Sequence, residues 1–267
     1  MREDNVRDRY ELAEGGIIHP ELADNAAVQA FREIRTRIVQ RTQGRSAVVL
    51  VTSAAPKSGN SFVTLNLAVA FAFDAGRTAL LMDADLKNAT LQRLLPDPDM
   101  PGLTDYVENA QLDVASVIHP VGIQRLRLIP AGRCRGIVEH FTSERLRRLL
   151  GEIRNRYSDR FVFIDAPPMA SSADTRILAE LSDFVLVVVP YGKASSDQIE
   201  NCVKSIDPAK FLGMVLNDDP RPPHLEWRNI RTEMLASFRG IFNGGVNRIV
   251  QSLRSVTKRQ AKTNVGQ

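Results

Sequence analysis

Six short apolar runs punctuate the chain, at residues 46–52, 78–82, 126–129, 161–164, 184–189 and 212–216. Most do not alternate polar and apolar positions; the first, Ala47-Val48-Val49-Leu50-Val51, is apolar throughout. Runs of this kind predict strands buried on both faces, and so a mostly parallel sheet with helices above and below it. The stretches between them carry helical signals. Ala27, Phe31, Ile34 and Ile38 recur at helical spacing behind Asp24 and Asn25, either of which can cap a helix running to about residue 40. A helix over 61–74 is closed by Gly76, one over 143–157 opens on Ser143, and shorter helices are predicted at 112–118 and 174–181. The alternation predicts one doubly wound α/β domain over 25–218, preceded by an irregular arm at 1–24. Pro220, Pro222 and Pro223 break the periodicity and mark the start of an extension, 219–267.

Composition changes this picture little. The 267 residues are 43% hydrophobic and 25% charged, ordinary for a globular protein. Two cysteines, Cys134 and Cys202, are too few for a disulfide frame or a zinc site, and the four histidines have no metal-ligand spacing. The charged first ten residues do not resemble a signal peptide, and no apolar run is long enough to span a bilayer, so a cytoplasmic location is expected. Charge is uneven, however. Residues 224–267 hold eight basic and two acidic side chains, a net +6 that leaves −2 for the rest of a chain whose total is +4.

In parallel sheets ligands bind at the carboxyl ends of the strands. Polar residues collect there: the loop 53–61, Asp83 and Asp85 after the second run, Asp165 after the fourth and Asn217 after the last. The loop, leading from strand to helix, is placed to cradle phosphate with backbone N–H groups. Lys57, Ser58, Gly59, Asn60 and Ser61 are its nucleotide-binding candidates. Ser61 stands where a magnesium-binding hydroxyl is needed, with Asp83 and Asp165 as carboxylate partners. Asn60, however, occupies the position at which a phosphate loop carries its lysine.

These motifs resemble those of the bacterial tyrosine kinases of capsule and exopolysaccharide synthesis, relatives of the MinD/ParA-type P-loop ATPases. The resemblance runs from about residue 18 to 218 and rests on several blocks in order: Val51-Thr52-Ser53-Ala54-Ala55-Pro56 with Asn66-Leu67-Ala68, Leu80 to Lys87, Gly102-Leu103-Thr104-Asp105, Pro130-Ala131-Gly132, and Phe163 to Pro168. It implies bound ATP or ADP with Mg2+, Asp83 and Asp85 as catalytic carboxylates, Asp165 as the Walker B acid and Asn217 as an adenine contact. It also implies a homo-oligomer, with Gln29, Arg32 and Arg35 at the interface, docked on a membrane-embedded polysaccharide co-polymerase at the inner membrane.

Three departures qualify this expectation. The family's loop reads Pro-Gly-Glu-Gly-Lys-Ser/Thr where this chain has Pro-Lys-Ser-Gly-Asn-Ser. Its interface helix carries a glutamate where this chain has Gln29. Its C-terminal tyrosine cluster is absent, since no tyrosine follows Tyr191. A regulatory or scaffolding member with weak or lost nucleotide chemistry is therefore expected. The alternatives are an active tyrosine kinase using Lys57 and a membrane-associated MinD-like ATPase, although Ala55 and Asn60 stand at both lysine sites of the latter. In place of tyrosines, the extension has apolar residues at helical spacing in two halves, 227–242 and 246–256. Trp227, Arg231, Phe238 and Phe242 are its candidate contacts with a partner protein or an anionic membrane surface. Nucleic acid is not an expected partner, because few aromatics accompany the basic residues.

Overall fold

The computed structural model describes residues 7, 9–19, 25–133, 144–156, 159–218 and 249–252. Their centre is a sheet of eight strands: β1 (Val48–Ser53), β2 (Thr78–Asp83), β3 (His119–Pro120), β4 (Leu126–Ile129), β5 (Arg160–Asp165), β6 (Phe184–Pro190), β7 (Phe211–Asn217) and β8 (Ile249–Ser252). Their spatial order is β3-β4-β2-β5-β1-β6-β7-β8, and every pairing is parallel except β3 with β4. The doubly wound, mostly parallel architecture expected from the apolar runs is the one observed.

The reason those runs lack alternation lies in the two cores they serve. Along β1, Val49 and Val51 face one core while Val48 and Leu50 face the other. Along β5, Phe161 and Phe163 divide in the same way from Val162 and Ile164. Both faces are dry, so every position is apolar. One face is covered by α2 (Ala26–Arg41) and α3 (Asn60–Ala72); the other by α4 (Leu103–Glu108), α5 (Glu144–Arg156), α6 (Ala173–Leu181) and α7 (Ser196–Lys204).

Helix α3 is apolar on nearly all sides because it is sandwiched. Phe71 packs on the sheet, with ring centroids 4.5 Å from Phe161 and 5.0 Å from Phe163. The outer side of α3 is roofed by α2, whose Phe31, Ile34 and Ile38 are fully buried. Asn25 caps α2 by accepting from the Ala27 N–H at 2.8 Å. Residues 9–19, expected as an irregular arm, instead contain α1 (Arg9–Glu14) and insert Leu12, Ile17 and Ile18 into the same core. Asn66, a polar residue buried in mid-α3, ties that segment down: its Oδ1 accepts from the Ile18 N–H at 2.7 Å and its Nδ2 donates to the Gly16 carbonyl at 3.2 Å. Arg7 reaches the far edge of the sheet, donating to the carbonyls of Val121 at 3.0 Å and Leu94 at 2.8 Å.

Several expectations are corrected. The predicted helix at 112–118 is only a 3-10 turn, Val114–Val117, capped by Asp113 and leading into β3. Helices α4 and α7 were not anticipated from the pattern, being short and half-polar. The second half of the extension was expected to be helical. Ile249–Ser252 is instead a strand, parallel to β7 in the register Gly213↔Ile249 to Leu216↔Ser252. Two adjacent β-branched residues suit that sheet edge better than their helical spacing suggested. Trp227, Arg231, Phe238 and Phe242 lie outside the described residues, as do Cys134 and Tyr157. Among the described residues no helix is long and apolar enough to cross a membrane.

Candidate functional site

The carboxyl ends of β1, β2 and β5 meet at one place because β5 lies between the other two. Asp83 and Asp165 are direct register partners at the ends of β2 and β5. Both are fully buried. Asp83 is held by the Leu91 N–H on Oδ2 at 3.1 Å and the Asp85 N–H on Oδ1 at 3.3 Å. Asp85 in turn accepts from the Asn88 N–H at 3.2 Å and the Asn88 side-chain amide at 3.4 Å. The three carboxylates anticipated from strand ends therefore form one group.

The loop between β1 and α3 wraps the same place. Gly59 adopts φ 79° as it opens α3, and Lys57 adopts φ 57°, a left-handed conformation in a residue with a side chain. A Cβ on Gly59 would lie 2.3 Å from Nδ2 of Asn217, so only glycine fits there. The same Asn217 amide donates to the Ser58 carbonyl at 2.8 Å, fastening the end of β7 to the loop. Asn217, the expected adenine contact, thus also latches the phosphate loop. Lys57 is exposed to solvent.

Asn60 decides the chemistry of the site. Its side chain is buried, and its amide nitrogen donates inward to Asp165 Oδ1 at 3.1 Å and to the Ala166 carbonyl at 2.8 Å. An amide has two N–H donors, and both have their acceptors in β5 and the residue after it. Thr64 adds a hydroxyl to Asp165 Oδ1 at 3.3 Å and another bond to the Asn60 carbonyl at 2.7 Å. Asp165 Oδ2 is buried with no hydrogen-bond partner among the described residues. Burial pushes the Asp165 carboxyl up to about 7, against the opposing pull of the Ser61 hydroxyl; Asp85 adds to the rise while the Asn60 and Thr64 donors oppose it. Burial, then the neighbouring Asp165, raises Asp83 well above the usual carboxylate range. Among the described residues no lysine or arginine pairs with either acid. A lysine at position 60 would bring the positive charge this buried acid pair lacks, and an asparagine brings only donors.

The residues partly fit a magnesium–nucleotide group. The orphaned Asp165 oxygen, Asp83 and the Ser61 hydroxyl are hard oxygen donors, and the glycine opening α3 leaves backbone N–H groups for phosphate. Among the described residues no three or more His, Cys, Asp or Glu side chains are arranged to hold a metal on their own. Magnesium commonly takes one or two carboxylates and completes its shell with phosphate and water. What is missing from the fit is the cation for the outer phosphates.

The blocks at 102–105 and 130–132 form one close-packed junction. Gly102 and Gly132 pack so closely that a Cβ on Gly102 would lie 2.2 Å from the Pro130 carbonyl. Asp105 closes this junction by accepting from the Gly102 N–H at 2.8 Å and the Arg133 N–H at 3.1 Å. On α5, Arg145 reaches across to α4. It lies over the Tyr106 ring at 4.4 Å and donates to the carbonyls of Tyr106 and Asn109 at 2.8 and 3.0 Å, capping the end of α4. Of the expected interface residues on α2, Gln29 is exposed, Arg32 and Arg35 are partly exposed, and Arg35 donates to the Ala70 carbonyl at 2.8 Å. Thr64 and Arg145 carry roles that nothing in the sequence pattern signalled, and Asn66 was marked only as part of a motif block.

No protein-family profile matches the chain. It is 28% identical over 203 residues to the tyrosine-protein kinase ptk of Acinetobacter johnsonii, covering 74% of this chain and 27% of that protein. It is 26% identical to the tyrosine-protein kinase CpsD of Streptococcus agalactiae, covering 70% of this chain and 80% of CpsD. The chain thus spans about a quarter of ptk's length, while it spans most of CpsD. Among solved structures, the BceF tyrosine kinase domain superposes with a TM-score of 0.61 at 29% identity over 71% of this chain and 76% of that domain. The kinase domain of Escherichia coli ETK superposes at 0.67 with 23% identity, covering 81% of each chain, and supports the fold alone. MinD of Pyrococcus horikoshii in complex with Mg-ADP shares the fold at 0.52 with 19% identity, over 67% of this chain and 72% of MinD.

Proposed function

This chain is a relative of the bacterial tyrosine kinases with a MinD/ParA-like P-loop fold, and on that premise we propose that it is a kinase-like subunit of exopolysaccharide or capsule synthesis and export with impaired phosphoryl-transfer chemistry. Its role is regulatory or scaffolding, as a homo-oligomer at the inner membrane working with a membrane-embedded co-polymerase.

The observation that carries this reading is the inward turn of Asn60. Phosphoryl transfer depends almost entirely on positioning and on charge stabilisation of the transferring group. In this loop the side chain at the lysine position is neutral, short and bonded to Asp165 and Ala166. Losing one preorganised stabilising group of that kind typically slows a reaction on the order of 10²-fold or more. Lys57, exposed and in a left-handed turn three residues before position 60, does not replace that charge in this reading. Nucleotide binding is the part of the chemistry that the remaining residues favour. Ser58, Gly59 and Ser61 offer backbone and hydroxyl donors, and Asp83, Asp85 and Asp165 would hold the magnesium. A bound divalent ion would supply the positive charge that these acids lack. The protein's own residues keep the acids dry and fix the loop through Asn217.

The test compares wild type, Asn60→Lys and Lys57→Ala for Mg-ATP affinity and for phosphotyrosine formation. We expect weak nucleotide binding and no phosphotyrosine on an added tyrosine-containing peptide in wild type, with binding tightened and phosphotyrosine gained in Asn60→Lys. Phosphotyrosine formed by wild type and abolished in Lys57→Ala would overturn the proposal and make Lys57 the working cation.

A further inference from the structure

Strand β8 braces one particular stretch of β7. The register of β7 against β6 shifts between Val185 and Leu186, so the ladder passes from Val185↔Phe211 to Leu186↔Gly213 and skips Leu212. An irregularity of this kind interrupts the ladder and bends the strand. β8 pairs with the residues just past it, from Gly213↔Ile249 to Leu216↔Ser252. Its last partner, Leu216, stands immediately before Asn217. Without β8, β7 would be the outermost strand of the sheet, with one side of its backbone unpaired. β8 also lies against α2, which roofs the helix that the phosphate loop opens.

The carboxyl end of β7 is where this bracing reaches the candidate nucleotide site. Asn217 Nδ2 donates to the Ser58 carbonyl at 2.8 Å, and it sits so close to the loop that a Cβ on Gly59 would lie 2.3 Å away. The Tyr191 N–H donates to the Asn217 carbonyl at 2.9 Å and ties the end of β6 to the same residue. Just beyond, Asp218 adopts φ 64° and pairs with Lys193 at 3.3 Å. Both of those side chains are well exposed, so the pair adds little rigidity. The placement of Asn217 therefore depends on how firmly β7 is held between the ladder irregularity and the loop. β6 holds that stretch on one side and β8 on the other.

We propose that β8 is a regulatory strand of the nucleotide site: its docking on β7 fixes Asn217 and the phosphate loop, and so tightens nucleotide binding. The proposal rests on the reading of the 53–61 loop as a nucleotide site. Binding groups work only when held within about 0.5 Å of their productive positions, and an edge strand bent by an irregularity holds its end less closely than a strand paired on both sides. Four residues at a sheet edge open at lower free energy than the core strands do. The chain reaches them only after residues 219–248, so β8 can leave β7 without unravelling it. By linkage, bound nucleotide favours the docked strand by the same factor that the docked strand favours nucleotide.

The full chain carrying both Val250→Pro and Gln251→Pro tests this. Neighbouring residues of a strand turn their N–H groups to opposite sides, so one of the two prolines removes a ladder donor towards β7. Calorimetric titration with Mg-ADP is expected to show an affinity about 5-fold or more lower in this variant than in wild type, with cooperative urea unfolding retained. In a double-mutant cycle by urea denaturation, the proline pair and Asn217→Ala should lower stability by less than the sum of their separate effects. If the proline variant does not fold, amide exchange in wild type carries the test: saturating Mg-ADP should slow exchange across residues 213–216 and 249–252. Equal Mg-ADP affinity in the two proteins, additive stability effects, or unchanged exchange at saturation overturns the proposal and leaves the nucleotide site standing. A wild-type protein that binds no Mg-ADP overturns both.

Discussion

Replacing Asp165 with asparagine should change how stability depends on pH more than it changes stability itself. Asp165 is fully buried, and its carboxyl is pushed up to about 7. In the unfolded chain the same group titrates near ~3.9. Between those two values the folded protein retains a proton that the unfolded chain has released. The raised group therefore stabilises the fold fully below ~3.9, and that contribution is lost as pH rises towards about 7. One proton corresponds to about 1.4 kcal/mol per pH unit, so the whole window amounts to at most about 4 kcal/mol. Asp83 is raised as well and acts with the same sign, partly because Asp165 lies beside it. Asp165→Asn removes the titrating group while its carbonyl oxygen can still accept from Asn60. The new amide N–H groups at the unpartnered oxygen lower the absolute stability by about 1–3 kcal/mol. The readout is thus the slope. Urea denaturation at pH 5, 6, 7 and 8 should show wild type losing stability from pH 5 to 7, with a flatter profile in Asp165→Asn. Wild-type stability that is constant or rising over pH 5–7, or an unchanged slope in the variant, would refute the account of a buried acid pair without a counter-charge.

Further outcomes follow from the same geometry. Gly59→Ala should destabilise by about 1–3 kcal/mol, since the added Cβ meets Asn217 and the backbone is left-handed; in a double-mutant cycle by urea denaturation, Asn217→Ala should recover the steric part and leave the conformational part. Fully additive effects would show that the Asn217 latch does not press on the loop. Arg145→Ala should lower stability by about 1–2 kcal/mol, and Arg145→Lys should fail to restore it, because one ammonium cannot both serve several carbonyls and lie over the Tyr106 ring. Thermal unfolding of the two variants distinguishes this from a solvated arginine, for which both would match wild type.

The departure at Asn60 was visible in the sequence, but its direction was not. A missing lysine predicts a missing charge at the phosphates. That the replacing amide points inward and binds Asp165 depends on β5 lying beside β1, a neighbour more than a hundred residues away in the chain. Arg35 shows the same limit. The family resemblance placed it at a subunit contact; that its guanidinium also reaches the Ala70 carbonyl of its own chain follows only from the packing of α2 on α3. Ile249 and Val250 were ambiguous for a different reason: short apolar runs fit either period, and an available strand edge settled the matter.

By itself the sequence determined the sheet, its burial on both faces and the gathering of polar residues at strand ends, because each follows from local period and from where apolar runs stop. It also determined that position 60 carries no charge. Only the tertiary structure decided which carboxylates stand side by side, that Asn217 fastens the phosphate loop, and that β8 pairs with the stretch of β7 leading to Asn217. These are contacts between distant segments. Their geometry is set by the packing of helices on the sheet, and no local pattern of residues encodes it.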